Sequence, residues 1–133
     1  MKEFFVETPE REAFVPITEH IQTAIDAAGL RDGLCTVYVP HTTAGVTINE
    51  GADPDVVRDM LMAFARIVPD DLPYRHFEGN STAHIKTAMV GTSTTILVRD
   101  GRLQLGTWQT IYLCEFDGPR RRKVWLHFQD QGA

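Results

Sequence analysis

The sequence predicts a single α+β domain with an antiparallel, sandwich-like β core and about three helices. The chain has 133 residues, which is the size of one ordinary domain. Hydrophobic residues make up 43% of the chain and charged residues 23%, a balance typical of globular proteins. Strand-like and helix-like segments come in runs rather than in strict alternation, which favours an antiparallel sheet over a doubly wound parallel one. Because no linker, repeat or low-complexity segment interrupts the chain, we expect the domain to span residues 1–133.

The N-terminal third predicts strands on either side of a helix. Residues 2–7 and 12–15 are short apolar runs typical of strands. Apolar residues then recur every three or four positions up to Gly29, which predicts a helix that ends at this glycine. Residues 33–39 predict a buried strand, and the alternation at 46–48 predicts an extended segment after a polar turn.

The middle third is predicted to be largely helical. Asp53 can cap free N–H groups and Pro54 suits the first helical position, so a helix should begin here. An apolar stripe at helical spacing continues it until the proline-containing segment 69–73. After a polar loop, Ser81 can cap a short helix that runs to Met89. A long polar loop inside a compact domain often serves function.

The C-terminal third is predicted to be β structure throughout. Its segments are β-branched or alternate between polar and apolar residues, and Asp-Gly and Gly-Pro pairs between them indicate tight turns. The predicted strands are residues 94–98, 102–105, 110–116 and 123–128.

The charge balance excludes several classes of function. Thirteen Lys and Arg residues against eighteen Asp and Glu residues give a net charge of −5, whereas general nucleic-acid binding needs a broad cationic face. No apolar run approaches the roughly 20 residues that cross a bilayer, and the acidic N-terminus does not resemble a signal peptide. We therefore expect a cytoplasmic protein without nucleic-acid or membrane partners. Cys35 and Cys114 lie in apolar runs and are expected to be buried, reduced thiols.

The first polar cluster follows the predicted strand 33–39. It is the segment His41-Thr42-Thr43-Ala44-Gly45, and the Asn49-Glu50 pair comes shortly after it. Because a sheet holds the turns at its strand ends rigidly, these side chains are candidates for a site. The alternative is a surface turn in which the threonines satisfy backbone groups.

The second polar cluster surrounds the start of the predicted short helix. Residues 76–86 contain His76, His84 and Lys86 together with one carboxylate. Free N–H groups at a helix N-terminus and a nearby lysine both suit a phosphate group. The alternative is that each histidine is an ordinary surface or core-edge residue.

The same residue types suggest a metal site, with two alternatives left open. Three imidazoles and a water can hold a catalytic Zn²⁺, although no two of these histidines have the i, i+4 spacing of a helical pair. Carboxylates can instead hold Mg²⁺ beside a phosphate. The zinc candidates are His41, His76 and His84, and the magnesium candidates are Glu50, Asp53 and Glu78.

Two further polar segments lie in the C-terminal third. Gln109, in the Gly-Thr-Trp-Gln segment, can pair with an amide or a ring nitrogen if it points into a pocket. Trp108 beside it is expected in a core or an interface rather than as a stacking platform. The run Arg120–Arg122 predicts either a solvated hairpin tip or an anion site that steers an acidic substrate.

Several of these stretches carry a family resemblance that covers the chain from about Phe4 to about Val124. HTTAGVTINE at 41–50, STTILVRDG at 93–101 and GTWQTI at 106–111 resemble the motifs of the YjbQ-like family, also called the secondary thiamine-phosphate synthase family. The residues that fall on the family motifs are His41, Thr42, Thr43, Asn49, Glu50, Asn80, His84, Thr107 and Gln109.

The resemblance implies an α+β sandwich that assembles as a homotrimer and has a weak thiamine-phosphate synthase activity. That reaction joins a hydroxymethylpyrimidine diphosphate to a thiazole phosphate and releases pyrophosphate, so a small phosphorylated molecule is the expected partner, although the physiological substrate can differ. Departure of the diphosphate needs charge neutralisation more than a protein nucleophile. The expected catalytic groups are His41, His84, Glu50 and Asn49, and the expected substrate-binding groups are Thr42, Thr43, Asn80, Lys86, Thr107, Gln109 and Arg120.

Two other classes of function fit the same residues. One is a metal- or small-molecule-binding module whose synthase activity is incidental, and the other is a metal-dependent hydrolase that uses the histidines. Stoichiometric zinc would favour either of these, whereas Mg²⁺-dependent release of pyrophosphate would favour the transferase.

Overall fold

Two antiparallel sheets form the frame of the molecule, whose computed structural model describes residues 1–132. The strands are β1 (Lys2–Glu7), β2 (Ala13–Pro16), β3 (Gly33–Tyr38), β4 (Ala44–Glu50), β5 (Ser93–Arg99), β6 (Arg102–Leu103), β7 (Gln109–Glu115) and β8 (Arg121–Asp130). The helices are α1 (Thr18–Ala28), α2 (Pro54–Ile67) and α3 (Ser81–Val90). The larger sheet has the order β1-β8-β3-β5-β6 and the smaller one the order β2-β7-β4. The predicted single α+β domain with a sandwich-like antiparallel core is therefore confirmed.

The smaller sheet separates two hydrophobic clusters because successive side chains of a strand point to opposite faces. Ile111 and Leu113 of β7 belong to the main core, which the larger sheet and α1 complete. Tyr112 and Cys114, between and beyond them, belong to a second cluster on the other face, together with Ala83 of α3. The smaller sheet is thus covered on both faces, and α2 and α3 lie on the outer one.

Two helix boundaries follow local signals in the sequence, whereas α3 begins at Ser81 with Asn80 at its N-cap and no side-chain cap bond, so the predicted capping by Ser81 is wrong. The Asp53 carboxylate accepts a hydrogen bond from the Asp55 N–H at 2.9 Å, and Pro54 occupies the first turn of α2. Gly29 ends α1 in the left-handed conformation with φ 71°, which a glycine adopts without steric cost. These predicted helix ends are confirmed.

The two cysteines are free and buried, as the sequence predicts. Burial raises the pKa of the Cys35 thiol to about 12 and also raises the pKa of Cys114. Both thiols therefore stay protonated near neutral pH, where the thiolate is the reactive form. Among residues 1–132, none of the helices combines the length and the apolar character that a membrane crossing requires.

Candidate functional site

The turn between β3 and β4 carries His41 and holds its ring in a fixed orientation. The Lys123 backbone N–H donates a hydrogen bond to His41 Nε2 at 2.9 Å. In the neutral ring the proton is therefore on Nδ1, which remains available to another partner. Burial lowers the pKa of His41, and the positive charge of Arg122 lowers it further. His41 is therefore neutral, with an Nδ1 proton that it can donate to a further group.

A buried ion pair lies next to this turn. Arg122 is 4% exposed and Glu115 is 0% exposed, and Arg122 Nε donates to Glu115 Oε1 at 2.8 Å. The same guanidinium donates to Thr43 Oγ1 at 2.9 Å, which ties the turn to β8. Burial acts to raise the pKa of Glu115, but hydrogen bonds from Arg122, from the Asp117 N–H and from Thr8 outweigh it and hold this pKa below its ordinary value. The charges beside the turn thus compensate each other inside the protein.

Helix α3 forms the opposite wall of a cleft at this turn. Gly45 of β4 lies directly against the carbonyl group of Gly91, where a side chain would not fit. The Val46 N–H donates to that carbonyl at 3.1 Å. Since His84 and Thr87 are three positions apart, they lie on one face of α3, and Gly91 directly follows the helix.

We call the space between the turn and the helix the His41 cleft. It is lined by His41, Thr42, His84, Thr87, Ala88, Gly91 and Thr92, and its volume is about 340 Å³. The structure therefore brings together the two histidines that the sequence proposed as catalytic groups, although they are far apart along the chain. These lining side chains include no carboxylate.

A second space, the loop cavity, lies beside the His41 cleft and has a volume of about 550 Å³. The rings of His76 and His84 meet edge to face with their centroids 5.4 Å apart, which places the two cavities side by side. Asn80 Nδ2 donates to Asp117 Oδ2 at 2.8 Å inside this cavity. The walls of the loop cavity include Arg11, Asp70, His76, Glu78, Asn80, Thr82 and Asp117. Three of these are acidic, so the loop cavity is a poorer place for an anion than the His41 cleft.

The two cations expected to bind substrate have protein partners. Lys86 is 3% exposed, and its Nζ donates to Glu12 Oε2 at 2.8 Å. Arg120 donates to Asp117 Oδ2 at 3.0 Å. Neither side chain lines the His41 cleft. In the structure, Lys86 and Arg120 each form an ion pair with a carboxylate of the same chain. Their role in substrate binding stays a prediction.

The remaining predicted residues lie at the other end of the smaller sheet. We call this end the Glu50 edge and define it by Asn49, Glu50, Thr107 and Gln109. In the pairing of β4 with β7, Glu50 lies opposite Gln109, whereas Ala44, next to the His41 turn, lies opposite Glu115. Six strand residues at about 3.3 Å each separate the two ends by roughly 20 Å. A single chain therefore does not bring the Glu50 edge into the His41 cleft.

Side chains at the Glu50 edge make local hydrogen bonds. Glu50 Oε2 accepts from the Ala52 N–H at 2.8 Å, and Gln109 Oε1 accepts from the Gly106 N–H at 2.8 Å. Trp108 is 64% exposed, so of the two predicted places it does not occupy the core, and a place in an interface stays a prediction. It lies immediately before β7, which begins at Gln109.

The predicted metal ligands do not come together in the part of the chain that the structure describes. Among residues 1–132, no group of three or more His, Cys, Asp or Glu side chains is arranged to hold a metal ion. His76 and His84 are in contact, but His41 Nε2 already accepts the Lys123 N–H. The three imidazoles do not form a set of zinc ligands within one chain, and binding of zinc or magnesium stays a prediction.

Two features of the site were missed at the level of sequence. The first is the buried pair of Arg122 with Glu115, since Arg122 belongs to a run of three arginines that is typical of a solvated turn. The second is Thr87, a cleft residue whose only sequence signal is its spacing of three positions from His84.

Comparison with known proteins identifies the family. The family model described as "UPF0047 protein YjbQ-like" matches residues 2–131. The chain belongs to the YjbQ-like UPF0047 family. The UPF0047 protein MJ1081 of Methanocaldococcus jannaschii is 49% identical over 91% of this chain and 88% of that protein. The UPF0047 protein YugU of Bacillus subtilis is 46% identical over 95% of this chain and 96% of that protein.

Solved structures of the YjbQ-like family have the same fold. A family member from Clostridium acetobutylicum superposes with a TM-score of 0.94 at 47% identity, covering 97% of this chain and 100% of that one. A YbjQ-like protein of Sulfolobus solfataricus superposes with a TM-score of 0.92 at 28% identity, covering 98% and 96%. The family assignment that the motifs suggest is therefore confirmed.

Proposed function

We propose that the chain is a transferase that binds a small phosphorylated molecule in the His41 cleft, and that thiamine-phosphate synthase is the activity to test first. The main support is that His41 and His84 line one cleft with no carboxylate among its lining side chains. A cleft of about 340 Å³ is near the lower end of the range for small-molecule sites, about 300–1,000 Å³. It suits one compact group, such as a diphosphate.

The charge distribution around the cleft favours an anionic group. Neutral His41 donates from Nδ1, and the hydroxyl groups of Thr42 and Thr92 can donate as well. The positive charge of Lys123, whose backbone amide holds His41, acts on the His41 ring. Fixed donors that face a leaving group stabilise the charge that develops on it, because they need no reorganisation during the reaction.

The proposed reaction needs donors and one acid. The bond between the methylene carbon of the pyrimidine and the diphosphate oxygen breaks, and the diphosphate leaves with the electron pair. The thiazole nitrogen supplies the pair for the new carbon–nitrogen bond. A protonated His84 gives a proton to the departing diphosphate, which is the role of a general acid, whereas neutral His41 keeps its Nδ1 proton and stabilises the diphosphate by donating a hydrogen bond.

We also propose that the protein works as a homotrimer in which the Glu50 edge of one copy completes the His41 cleft of the next. The support is the separation of roughly 20 Å between these two groups of motif residues in one chain. Asn49 and Gln109 at that edge have the amide donors and acceptors that an aminopyrimidine ring needs. The first requirement is a light-scattering mass three times the monomer mass of 15.0 kDa.

The function is tested with histidine variants in a pyrophosphate-release assay that supplies both phosphorylated substrates. We expect His41→Ala and His84→Ala each to lower the rate by about 100-fold or more, because a positioned acid or donor typically contributes that much. His127→Ala is the matched control, since His127 lies on the exposed face of β8, away from the cleft. Its rate should stay at the wild-type level.

The same assay separates the rival classes of function. Rates within about twofold of wild type for both cleft variants would contradict the site assignment, since a catalytic acid–base group contributes far more. Stoichiometric zinc in the purified protein, together with loss of activity in EDTA and its recovery with Zn²⁺ but not Mg²⁺, would favour the metal-dependent hydrolase or binding module instead.

A further inference from the structure

The turn between β3 and β4 is held at two points by consecutive residues of β8. At the first point, His41 Nε2 accepts the Lys123 N–H at 2.9 Å. At the second, Thr43 Oγ1 accepts from Arg122 Nη2 at 2.9 Å, and the Thr43 carbonyl accepts from the same nitrogen at 3.3 Å. Thr42 lies between these two points, is exposed and lines the His41 cleft. The orientation of the cleft-lining residues of this turn therefore depends on β8.

The guanidinium of Arg122 is itself held by the Glu115 carboxylate. Arg122 Nε donates to Oε1 and Nη2 donates to Oε2, which is the two-bond geometry of a guanidinium with a carboxylate. The same carboxylate accepts from Thr8 Oγ1 at 2.7 Å and from the Asp117 N–H at 3.0 Å. These four bonds use the acceptor capacity of a carboxylate, so Glu115 fixes the guanidinium in place.

Stability alone does not explain why two charged groups occupy this position. Arg122 is 4% exposed and Glu115 is 0% exposed, and the attraction between two buried charges barely repays the cost of taking them out of water. Apolar residues of similar volume at such positions commonly give equal or greater stability. An apolar pair would lack the directed N–H donors of a guanidinium, one of which reaches Thr43.

Arg122 acts on the cleft only through other residues. Neither Arg122 nor Glu115 lines the His41 cleft, whereas His41 and Thr42 do. Thr43 does not line it either, and the hydroxyl of Thr43 accepts from the guanidinium. Polar residues that stabilise the fold little and instead hold the residues of a site commonly serve function.

We propose that Arg122 is a positioning residue that fixes the turn between β3 and β4 in the orientation that the proposed reaction needs. Glu115 holds the guanidinium, and the guanidinium holds Thr43. Because Lys123 is the next residue of β8, the same arrangement keeps its N–H on His41 Nε2 and the ring proton on Nδ1. The effect on the reaction rests on the proposed function, whereas the effect on the His41 ring concerns the protein without ligand.

The first test removes both buried charges together. In the double variant Glu115→Met with Arg122→Met, no buried charge is left unpaired, so we expect a melting temperature within about 5 °C of wild type. Pyrophosphate release should nevertheless fall at least about tenfold, because small misplacements of the groups that hold a substrate slow a reaction strongly. A pair with a merely structural role would give the wild-type rate in a variant of wild-type stability.

The second readout is the proton on the His41 ring, which does not depend on activity. The chain has five histidines, and labelling them with ¹⁵N allows long-range ¹H–¹⁵N spectra at neutral pH to show which ring nitrogen is protonated. The signals of His41 are those that disappear in His41→Ala. We expect the proton on Nδ1 in the wild type and a mixture of Nδ1 and Nε2 protonation in the double variant, in which the Lys123 N–H is held less firmly.

A single variant keeps the test decisive if the double variant does not fold. Thr43→Val leaves the buried pair in place and removes the hydroxyl that accepts from the guanidinium. We expect this variant to slow pyrophosphate release about tenfold, which corresponds to the loss of one hydrogen bond to a charged group. It should also shift the His41 ring towards mixed protonation.

Thr82→Val is the matched control for the loss of a buried threonine hydroxyl. Thr82 is 4% exposed, and its hydroxyl donates to Asp70 Oδ1 at 2.9 Å, away from the His41 cleft. Its removal should lower the melting temperature. The rate should stay within about twofold of wild type, and the His41 proton should stay on Nδ1.

The remaining outcomes are distinguishable. A stable double variant with the wild-type rate and the His41 proton on Nδ1 would overturn the role of Arg122 and leave the proposed function standing. Thr43→Val with the rate and ring protonation of Thr82→Val would overturn it as well. Wild-type protein that releases no pyrophosphate would overturn the proposed function, and the ring proton alone would then decide whether Arg122 orients His41.

Discussion

The two ends of the smaller sheet are built from different interactions. At the His41 end, the fully buried carboxylate of Glu115 pairs with Arg122, and this pair holds the Thr43 backbone and hydroxyl. At the Glu50 edge, the only charged side chain in these contacts is the Glu50 carboxylate, whose bond to the Ala52 N–H is exposed. The other bonds are neutral: Tyr112 donates its hydroxyl to the Glu50 carbonyl at 2.7 Å, and the Gly51 N–H donates to the Trp108 carbonyl at 2.8 Å. The buried charges of the smaller sheet thus lie at the end that carries the cleft.

This difference suggests that the two ends of the sheet differ in how strongly they respond to substitutions and to pH. An ion pair with good geometry fixes the side chains around it strongly, but it is costly to disturb because both charges are out of water. Neutral backbone bonds each contribute less and tolerate change better. We therefore expect the His41 end to respond strongly to changes in charge and to acid, and the Glu50 edge to respond weakly. Three predictions test this expectation.

The largest expected effect comes from breaking the buried pair. Arg122→Met leaves the Glu115 carboxylate buried without its partner, and we expect a loss of about 3–5 kcal/mol in the free energy of unfolding, measured with urea. Arg121→Met is the matched control, since Arg121 is exposed beside Glu7 and over the Phe5 ring and should change stability by less than about 1 kcal/mol.

A double variant shows whether the loss of stability in Arg122→Met comes from the unpaired charge of Glu115 or from the changed side-chain volume. Replacing both Glu115 and Arg122 by methionine removes both charges, and we expect most of the lost stability to return. A double variant that is as unstable as Arg122→Met alone would contradict this explanation.

A smaller effect is expected from acid. The pKa of Glu115 is held below its ordinary value of 4.5, so its contribution to stability is complete above that pH and is lost as the pH falls through the lowered folded-state pKa. Hydrogen exchange at about pH 3.5 and about pH 6.5, corrected for intrinsic rates, measures this loss. The Phe116 N–H, which donates to the Thr43 carbonyl, should lose more protection than the Gly51 N–H. Equal losses at both ends would contradict the proposed difference.

The smallest effect is expected at the Glu50 edge. Tyr112→Phe removes the hydrogen bond to the Glu50 carbonyl, and we expect a loss of about 1 kcal/mol in the free energy of unfolding. The ring stays in its cluster with Phe14, so packing changes little. A loss as large as that of Arg122→Met would show that both ends depend equally on their polar contacts.

Local signals account for the parts of the fold that the sequence predicts well. Asp53, Pro54 and Gly29 act on the residues beside them, so helix ends can be predicted from a few positions. The start of β8 is predicted less well, since the strand begins at Arg121 and not at the predicted residue 123. With two more residues in the strand, the alternation of faces points Arg122 inward, where Glu115 meets it.

The candidate site could be predicted only in part for a similar reason. His41 and His84 were proposed from residue type and motif, and the structure places both in one cleft. Lys86 and Arg120 are predicted to bind phosphate because they are cations. In the structure, Lys86 pairs with Glu12, which is distant in sequence, and Arg120 pairs with Asp117 across a turn. Such pairings depend on tertiary packing, which spacing along the chain does not report.

The bare backbone of Gly45 controls the width of the cleft. Helix α3 approaches β4 until the Gly91 carbonyl occupies the space that a side chain at position 45 would take. A methyl group there would act as a wedge and tilt the end of the helix outward, moving Thr87 and His84 away from His41. The distance between the two walls of the cleft thus depends on the absence of a Cβ atom at position 45, although Gly45 does not line the cleft.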